Sequence, residues 1–246
     1  MPHELTHLDL FSGIGGFALA AGWAGFRTVG FCEREPYAQA VLGKHWPEIP
    51  ICDDIFRLDA NQYRGVTLLT GGFPCQPFSV AGQQRGSEDD RHIWPEMLRV
   101  IKECRPTWII GENVPGIVEM ELDNCISDLE NIGYTVQPII VPACAVDAKH
   151  RRDRVWILAH SERLQQPREE SCYGQNRRVG GGVQSVSWDR NWEDALREFR
   201  GMDDGLSYGV DRVDGIRNSI VPQVAYEIIS AIAKIERHET TTRNTS

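Results

Sequence analysis

Short apolar runs alternate with amphipathic stretches along most of the chain, and Gly or Pro separates them. Residues 5–11 read as a strand and Gly16–Trp23 as a helix, followed by a strand over 28–32 and a helix over 37–45. Residues 66–70 are strand-like and run into a loop rich in Gly, Pro, Gln and Asp over 71–90. Residues 92–103 carry a helical period, 107–111 a strand and Leu122–Asn131 a helix. Two strands close in sequence, 134–141 and 155–159, are expected to pair antiparallel. Strand–helix alternation of this kind predicts an α/β fold, a doubly wound, mostly parallel sheet with helices on both faces.

The alternation fails between residues 161 and 209. That stretch is polar, contains Gly180-Gly181-Gly182, and mixes arginines (Arg163, Arg168, Arg177, Arg178, Arg190, Arg197, Arg200) with Tyr173, Trp188, Trp192 and Phe199. It is too long for a plain connection in a compact domain. The expected organisation is a main domain over 1–160, a small inserted region over 161–208, and a return to the main domain over 209–236. Residues 221–235 predict a helix with Pro222 near its start, and 237–246 a polar, disordered tail.

Composition narrows the class. A chain of 246 residues with 41% hydrophobic residues can build one such core. No apolar run approaches the length of a membrane span, and Met1-Pro2-His3-Glu4 lacks the basic-then-apolar pattern of a secretory leader. The seven cysteines are odd in number and form no C-x-x-C pair, which argues against zinc, any other structural metal and a disulfide framework, and for a reducing, cytoplasmic setting. The net charge of −9 argues against a nucleic-acid partner unless local basic patches supply the contact.

Two loops carry candidate chemistry. Asp9-Leu10-Phe11-Ser12-Gly13-Ile14-Gly15-Gly16 follows the first strand and opens the first helix, so a ligand can approach bare backbone at a helix N-terminus. Glu33 ends the next strand, placed to accept hydrogen bonds from two ribose hydroxyls. Gly13, Gly15 and Ala18 also satisfy the dinucleotide pattern, so NAD and S-adenosylmethionine are both served by the turn alone. Asp9 favours the second, because an acid there repels a pyrophosphate and can hold an ammonium group. The other loop is Gly71-Gly72-Phe73-Pro74-Cys75-Gln76-Pro77-Phe78-Ser79. Its polar and turn residues favour an exposed Cys75, and a thiolate beside cations is a strong nucleophile.

These segments resemble the DNA cytosine C5-methyltransferases. Residues 9–17 look like that family's first motif and 72–79 like its nucleophile motif. Glu112-Asn113-Val114 is similar to its catalytic glutamate motif, His150-Arg151-Arg152-Asp153-Arg154 to its Gln-x-Arg-x-Arg motif, and Asn218-Ser219-Ile220-Val221-Pro222 to its C-terminal motif. All five occur in the family's order. The resemblance implies an S-adenosylmethionine-dependent, Rossmann-like domain acting on double-stranded DNA, with the inserted region as target-recognition region. It implies that Cys75 adds to cytosine C6, that Glu112 neutralises charge at N3 with a raised pKa, and that Arg152 and Arg154 hold the base oxygen or a phosphate. Methyl-donor contacts carry over to Asp9, Phe11, Ser12, Gly13, Gly15, Gly16, Glu33, Arg34, Asp54, Ile55, Pro74 and Asn218. The loop with Gly82, Gln83, Gln84, Arg85 and Gly86 is expected to close over a flipped base.

The sequence departs from the family in three places. The inserted region is short, Arg34 stands where an aromatic or apolar residue is common, and Arg217 stands where glycine precedes the asparagine. A monomer, with a cognate restriction endonuclease as its cellular counterpart, is the expected setting. A transfer-RNA cytosine C5-methyltransferase and a methyltransferase-like, non-catalytic DNA-binding or regulatory protein are the competing readings.

Overall fold

The structure is a computed structural model, and it describes residues 4–74, 93–146, 151–161 and 220–243. Among these residues seven strands form one sheet: β1 (Thr6–Leu10), β2 (Arg27–Cys32), β3 (Ile51–Cys52), β4 (Leu68–Gly71), β5 (Trp108–Asn113), β6 (Tyr134–Pro142) and β7 (Asp153–Ser161). Their order is β3-β2-β1-β4-β5-β7-β6. The first five run parallel, and β7 lies antiparallel between β5 and β6, as the two late apolar runs predict.

Helices cover both faces, so alternate residues of each central strand enter different cores. On one face Leu8, Leu10, Leu69, Ile109 and Ile157 pack against α3 (Ile93–Cys104) and α5 (Leu122–Asn131). α3 buries Trp94, Met97, Leu98, Ile101 and Cys104, an i, i+3, i+4, i+7 stripe that fixes which side meets the sheet. On the other face Leu5, Leu68, Ile110 and Trp156 pack against α1 (Gly16–Trp23) and α6 (Pro222–Arg243). α2 (Pro36–His45) starts on Pro36 and packs Ala38 and Val41 against Ile14.

Two expectations are corrected. The segment over 237–246 is not a disordered tail throughout, since α6 continues to Arg243. Its turn is anchored at two points: Glu236 accepts from Trp108 Nε1 at 2.8 Å, and Arg237 donates to the Ala24 carbonyl at 2.9 Å, satisfying an orphan carbonyl at the end of α1. β5 extends two residues beyond its expected end, so Glu112 and Asn113 are strand residues rather than loop residues. The short β3 and the one-turn α4 (Ile117–Met120) had no periodic signal to announce them. Of the inserted region expected over 161–208, Ser161 is the last residue of β7 and residues 162–208 lie outside the described residues, as do Arg217 and the loop at 82–86.

Gly15 shows how the first turn is built. It is the N-cap of α1 at φ 88°, and a Cβ there would stand 2.6 Å from the Trp46 ring. Gly15→Ala should therefore lower unfolding free energy by about 1–3 kcal/mol from backbone strain, with the ring clash added. In a Trp46→Leu background the cost should shrink without vanishing, because the positive φ remains. Urea melts of the four proteins would check this, and a Gly15→Ala cost independent of Trp46 would contradict it.

Candidate active site

Strand order reverses between β1 and β4, and their C-terminal ends open the crevice where ligands bind in doubly wound sheets. The turn after β1 is left-handed at Phe11 (φ 52°), Gly13 (φ 53°) and Gly15. Phe11 pays a local conformational cost that an L residue normally avoids, a mark of functional loops. The turn is held from below: the Ser12 amide donates to the Cys32 carbonyl at 3.2 Å, and the Ser12 hydroxyl to the Asp9 carbonyl at 2.8 Å. Ser12, Gly15 and Gly16 are buried, while Phe11 and Gly13 stay half-buried at the crevice.

Glu33 closes the turn from the β2 side. Its Oε2 accepts from the Gly13 amide at 2.6 Å and its Oε1 from the Glu35 amide at 2.8 Å. Burial raises its pKa, against the pull of those amides. Each carboxylate oxygen retains a further lone pair, so the arrangement fits a ribose diol. Asp54 caps a short 3-10 turn, accepting from the Phe56 amide at 2.9 Å, and meets Arg57 Nε at 3.5 Å. It stays half-buried, with lone pairs left for an amine. Ile55 behaves differently: its side chain belongs to the core and its carbonyl accepts from Arg99 at 2.6 Å. Arg34 and Pro74 are exposed.

Asp9 lies beneath the turn rather than in it. It is fully buried, with Oδ1 accepting from the Thr70 hydroxyl at 2.7 Å and Oδ2 without a hydrogen-bond partner among the described residues. With no exposed surface, Asp9 sits under the floor of the turn in this structure rather than on its wall. Burial pushes its pKa up to about 8; the Thr70 hydroxyl opposes the rise, the charge of Glu33 adds to it, and the Ala18 amide opposes it.

At the end of β5, Glu112 pairs with Arg154 of β7, Oε1 to Nε at 2.8 Å, and its side chain is only 12% exposed. Burial raises the Glu112 pKa, and the charges of Arg154 and Arg152 pull it back. Arg152 is half-buried at φ 36°, its pKa lowered first by burial and then by Arg154. The loop after β4 is stitched to this acid. Asn113 Nδ2 donates to the Phe73 carbonyl at 2.9 Å, and a Cβ on Gly72 would stand 3.4 Å from Glu112 Oε2. Pro74 follows directly, and Cys75 and Asn218 lie outside the described residues.

Glu112, Arg152 and Arg154 thus form one cluster, and Glu33 joins the turn through Gly13, while Asp54 caps a separate 3-10 turn after β3. Asn113 carries a role that motif reading left unassigned, and so do Thr70 and His7 beneath the turn. The asparagine beside the acid was the available signal; the buried pair had none, because a strand's two faces look alike in sequence until its packing is known.

The family model for C-5 cytosine-specific DNA methylases matches residues 5–195. A type II methyltransferase of Psychrobacter sp. (strain TA137) is 40% identical over 159 residues, 61% of this chain and 38% of that protein. One from Neisseria gonorrhoeae is 35% identical over 161 residues, 63% of this chain and 52% of that protein. The chain therefore matches about half or less of the length of these curated relatives. The structure of the S. pombe Dnmt2 methyltransferase superposes with a TM-score of 0.69 at 18% identity, covering 94% of this chain and 99% of that one, a likeness of fold.

Asp9 gives stability a pH dependence. Its ordinary pKa is 3.8 and its folded value about 8. The folded state thus keeps a proton that the unfolded state releases between those values. The stabilisation is complete below about pH 4 and is lost as pH rises through about 8, with a slope of at most ~1.4 kcal/mol per pH unit. Wild type should lose thermal stability from pH 5 to pH 8.5 relative to Asp9→Asn, which cannot titrate. Parallel curves in differential scanning calorimetry would contradict this.

Proposed function

Because the chain belongs to the C-5 cytosine-specific DNA methylase family, we propose that it methylates C5 of cytosine in double-stranded DNA, through a covalent adduct on Cys75 with the target base flipped out of the duplex. One contact supports the reading: Asn113 Nδ2 at the end of β5 donates to the Phe73 carbonyl at 2.9 Å, which holds Phe73, two residues before Cys75 in the sequence, beside Glu112. The methyl donor is S-adenosylmethionine, which supplies a sulfonium-bound methyl group. Glu33 and Asp54 suit its ribose and adenine amine, and the backbone of Phe11–Gly16 leaves room for its approach to the helix N-terminus.

Cytosine C5 is too weak a nucleophile to be methylated directly. The Cys75 thiolate adds to C6, and the electron pair displaced moves through the ring toward N3. Glu112 meets N3 as a proton-bearing acid, a state that its raised pKa favours. Arg154, held on Glu112, and Arg152 beside it offer donors to the base oxygen and favour the thiolate. C5, now electron-rich, takes the methyl group as the sulfonium–methyl bond breaks and leaves a neutral thioether; loss of the C5 proton to a base then lets the Cys75 sulfur leave and restores aromaticity. A target stacked in a duplex reaches this pocket only after flipping. The acidic total of −9 does not prevent DNA binding when a local cationic cluster faces the phosphates.

Transfer of label from S-adenosylmethionine tests the reading. Duplex DNA should accept it at cytosine C5 and transfer RNA should not; labelled transfer RNA would favour the RNA enzyme, and no transfer to either would favour a non-catalytic role. Glu112→Gln should slow single-turnover transfer by about two to four orders of magnitude, the range for a positioned acid–base group, with DNA affinity little changed. A defect confined to KM would make Glu112 a binding residue only.

A further inference from the structure

A line of buried side chains crosses the three central strands beneath α1. Thr28 Oγ1 in β2 meets His7 Nδ1 in β1 at 3.0 Å, and His7 Nε2 meets Thr70 Oγ1 in β4 at 2.8 Å. The Thr70 hydroxyl donates to Asp9 Oδ1 at 2.7 Å. None of the four residues is more than 6% exposed. The proton roles follow from chemistry. Thr70 gives its one proton to Asp9, so it accepts from His7 Nε2–H, and His7 Nδ1 accepts from the Thr28 hydroxyl. Burial keeps His7 neutral, with its pKa pushed down to about 3, as one ring N–H requires.

Strand pairing does not need this line. β1 and β4 already pair through backbone bonds, with Asp9 opposite Thr70. Apolar side chains at these positions would avoid the cost of burying polar groups, as Leu68 and Ile110 do on the same face. What distinguishes the polar positions is where they stand. Asp9 is two residues before Phe11 in the methyl-donor turn, and Thr70 is followed by Gly71, Gly72 and the loop that leads to Cys75. A second end of the line reaches α1, where the Ala18 amide, a first-turn donor with no partner inside the helix, faces Asp9.

We propose that His7, Thr70 and Asp9 form a strut that sets the methyl-donor turn against the nucleophile loop, with Thr70 the positioning residue for both. The strut couples donor binding to thiolate addition, and it rests on the function proposed above. Loss of the Thr70 hydroxyl leaves both His7 Nε2–H and Asp9 Oδ1 facing a methyl group, which releases the two loops from a common reference.

The test compares Thr70→Val, Thr70→Ser and wild type as full chains, each well below its own unfolding midpoint. Thr70→Val should raise the S-adenosylmethionine Kd about tenfold and slow adduct formation with a saturating mechanism-based DNA about tenfold, the effect of one unmade buried hydrogen bond at each loop. Thr70→Ser should keep both within about twofold, since it retains the donor and acceptor. Thr70→Cys, a weaker donor, should fall between them and keeps the comparison open should the valine variant not fold. A lower unfolding midpoint with Kd and saturated rate at wild-type values would overturn the strut, and so would a change in Kd alone. Wild type that neither binds S-adenosylmethionine nor forms the adduct would overturn the functional reading and the strut together.

Discussion

The chain leaves β1 toward one edge of the sheet and leaves β4 toward the other, so the two strand ends stand side by side with no crossover above them. The geometry of the site depends on that reversal. It allows a turn with three positive-φ residues to face a Gly-Gly-Phe-Pro loop across one open crevice. The antiparallel β7 then brings Arg154 in from the opposite direction, beside the last residues of β5. A purely parallel order would have placed the start of that strand, and its arginine, at the far end of the sheet.

Within the crevice, opposing effects on one carboxyl decide what it can do. Burial raises the Glu112 pKa, while Arg154 at 2.8 Å and the charge of Arg152 lower it. The net shift is upward, which suits an acid that must meet a ring nitrogen with its proton in place. The same arginines supply positive charge in a chain whose total is −9. Charge focused in a cleft, rather than the sum over the surface, governs how a polyanion meets the site. Removing the acid would leave Arg154 partly buried without its counter-ion, so the pair also holds β5 and β7 in register at the crevice.

Much of the framework was legible because its signals are periodic. The parallel core strands, α1, α3 and α5, and the β6–β7 pair follow from apolar runs and their spacing. β3, two residues long, falls below the length at which periodicity means anything. The end of α6 lies beyond the expected helix over 221–235 because residues 237–246 are polar, yet Glu236 and Arg237 find partners on Trp108 and Ala24 that only the tertiary fold supplies. The site divides in the same way. Glu33, Asp54, Glu112, Arg152 and Arg154 were named from motif and position; Glu33 bonds to the turn at Gly13, and Glu112 gathers with Arg152 and Arg154 at the end of β5. Asp9 borders the turn in sequence, but a strand residue faces one side only, and its side chain is fully buried. His7 and Thr70 carried no motif at all; their meaning comes from register across β1, β2 and β4.

The proposed function turns on covalent catalysis by Cys75. Duplex DNA with 5-fluorocytosine at the target position, incubated with the protein and S-adenosylmethionine, measures it directly, because fluorine blocks the proton loss that would free the cysteine. The expected product is a denaturation-stable protein–DNA complex whose peptide map places the methylated base on Cys75, with none formed by Cys75→Ser. A complex mapping to another residue, or ordinary DNA methylated by the Cys75→Ser protein, would contradict it.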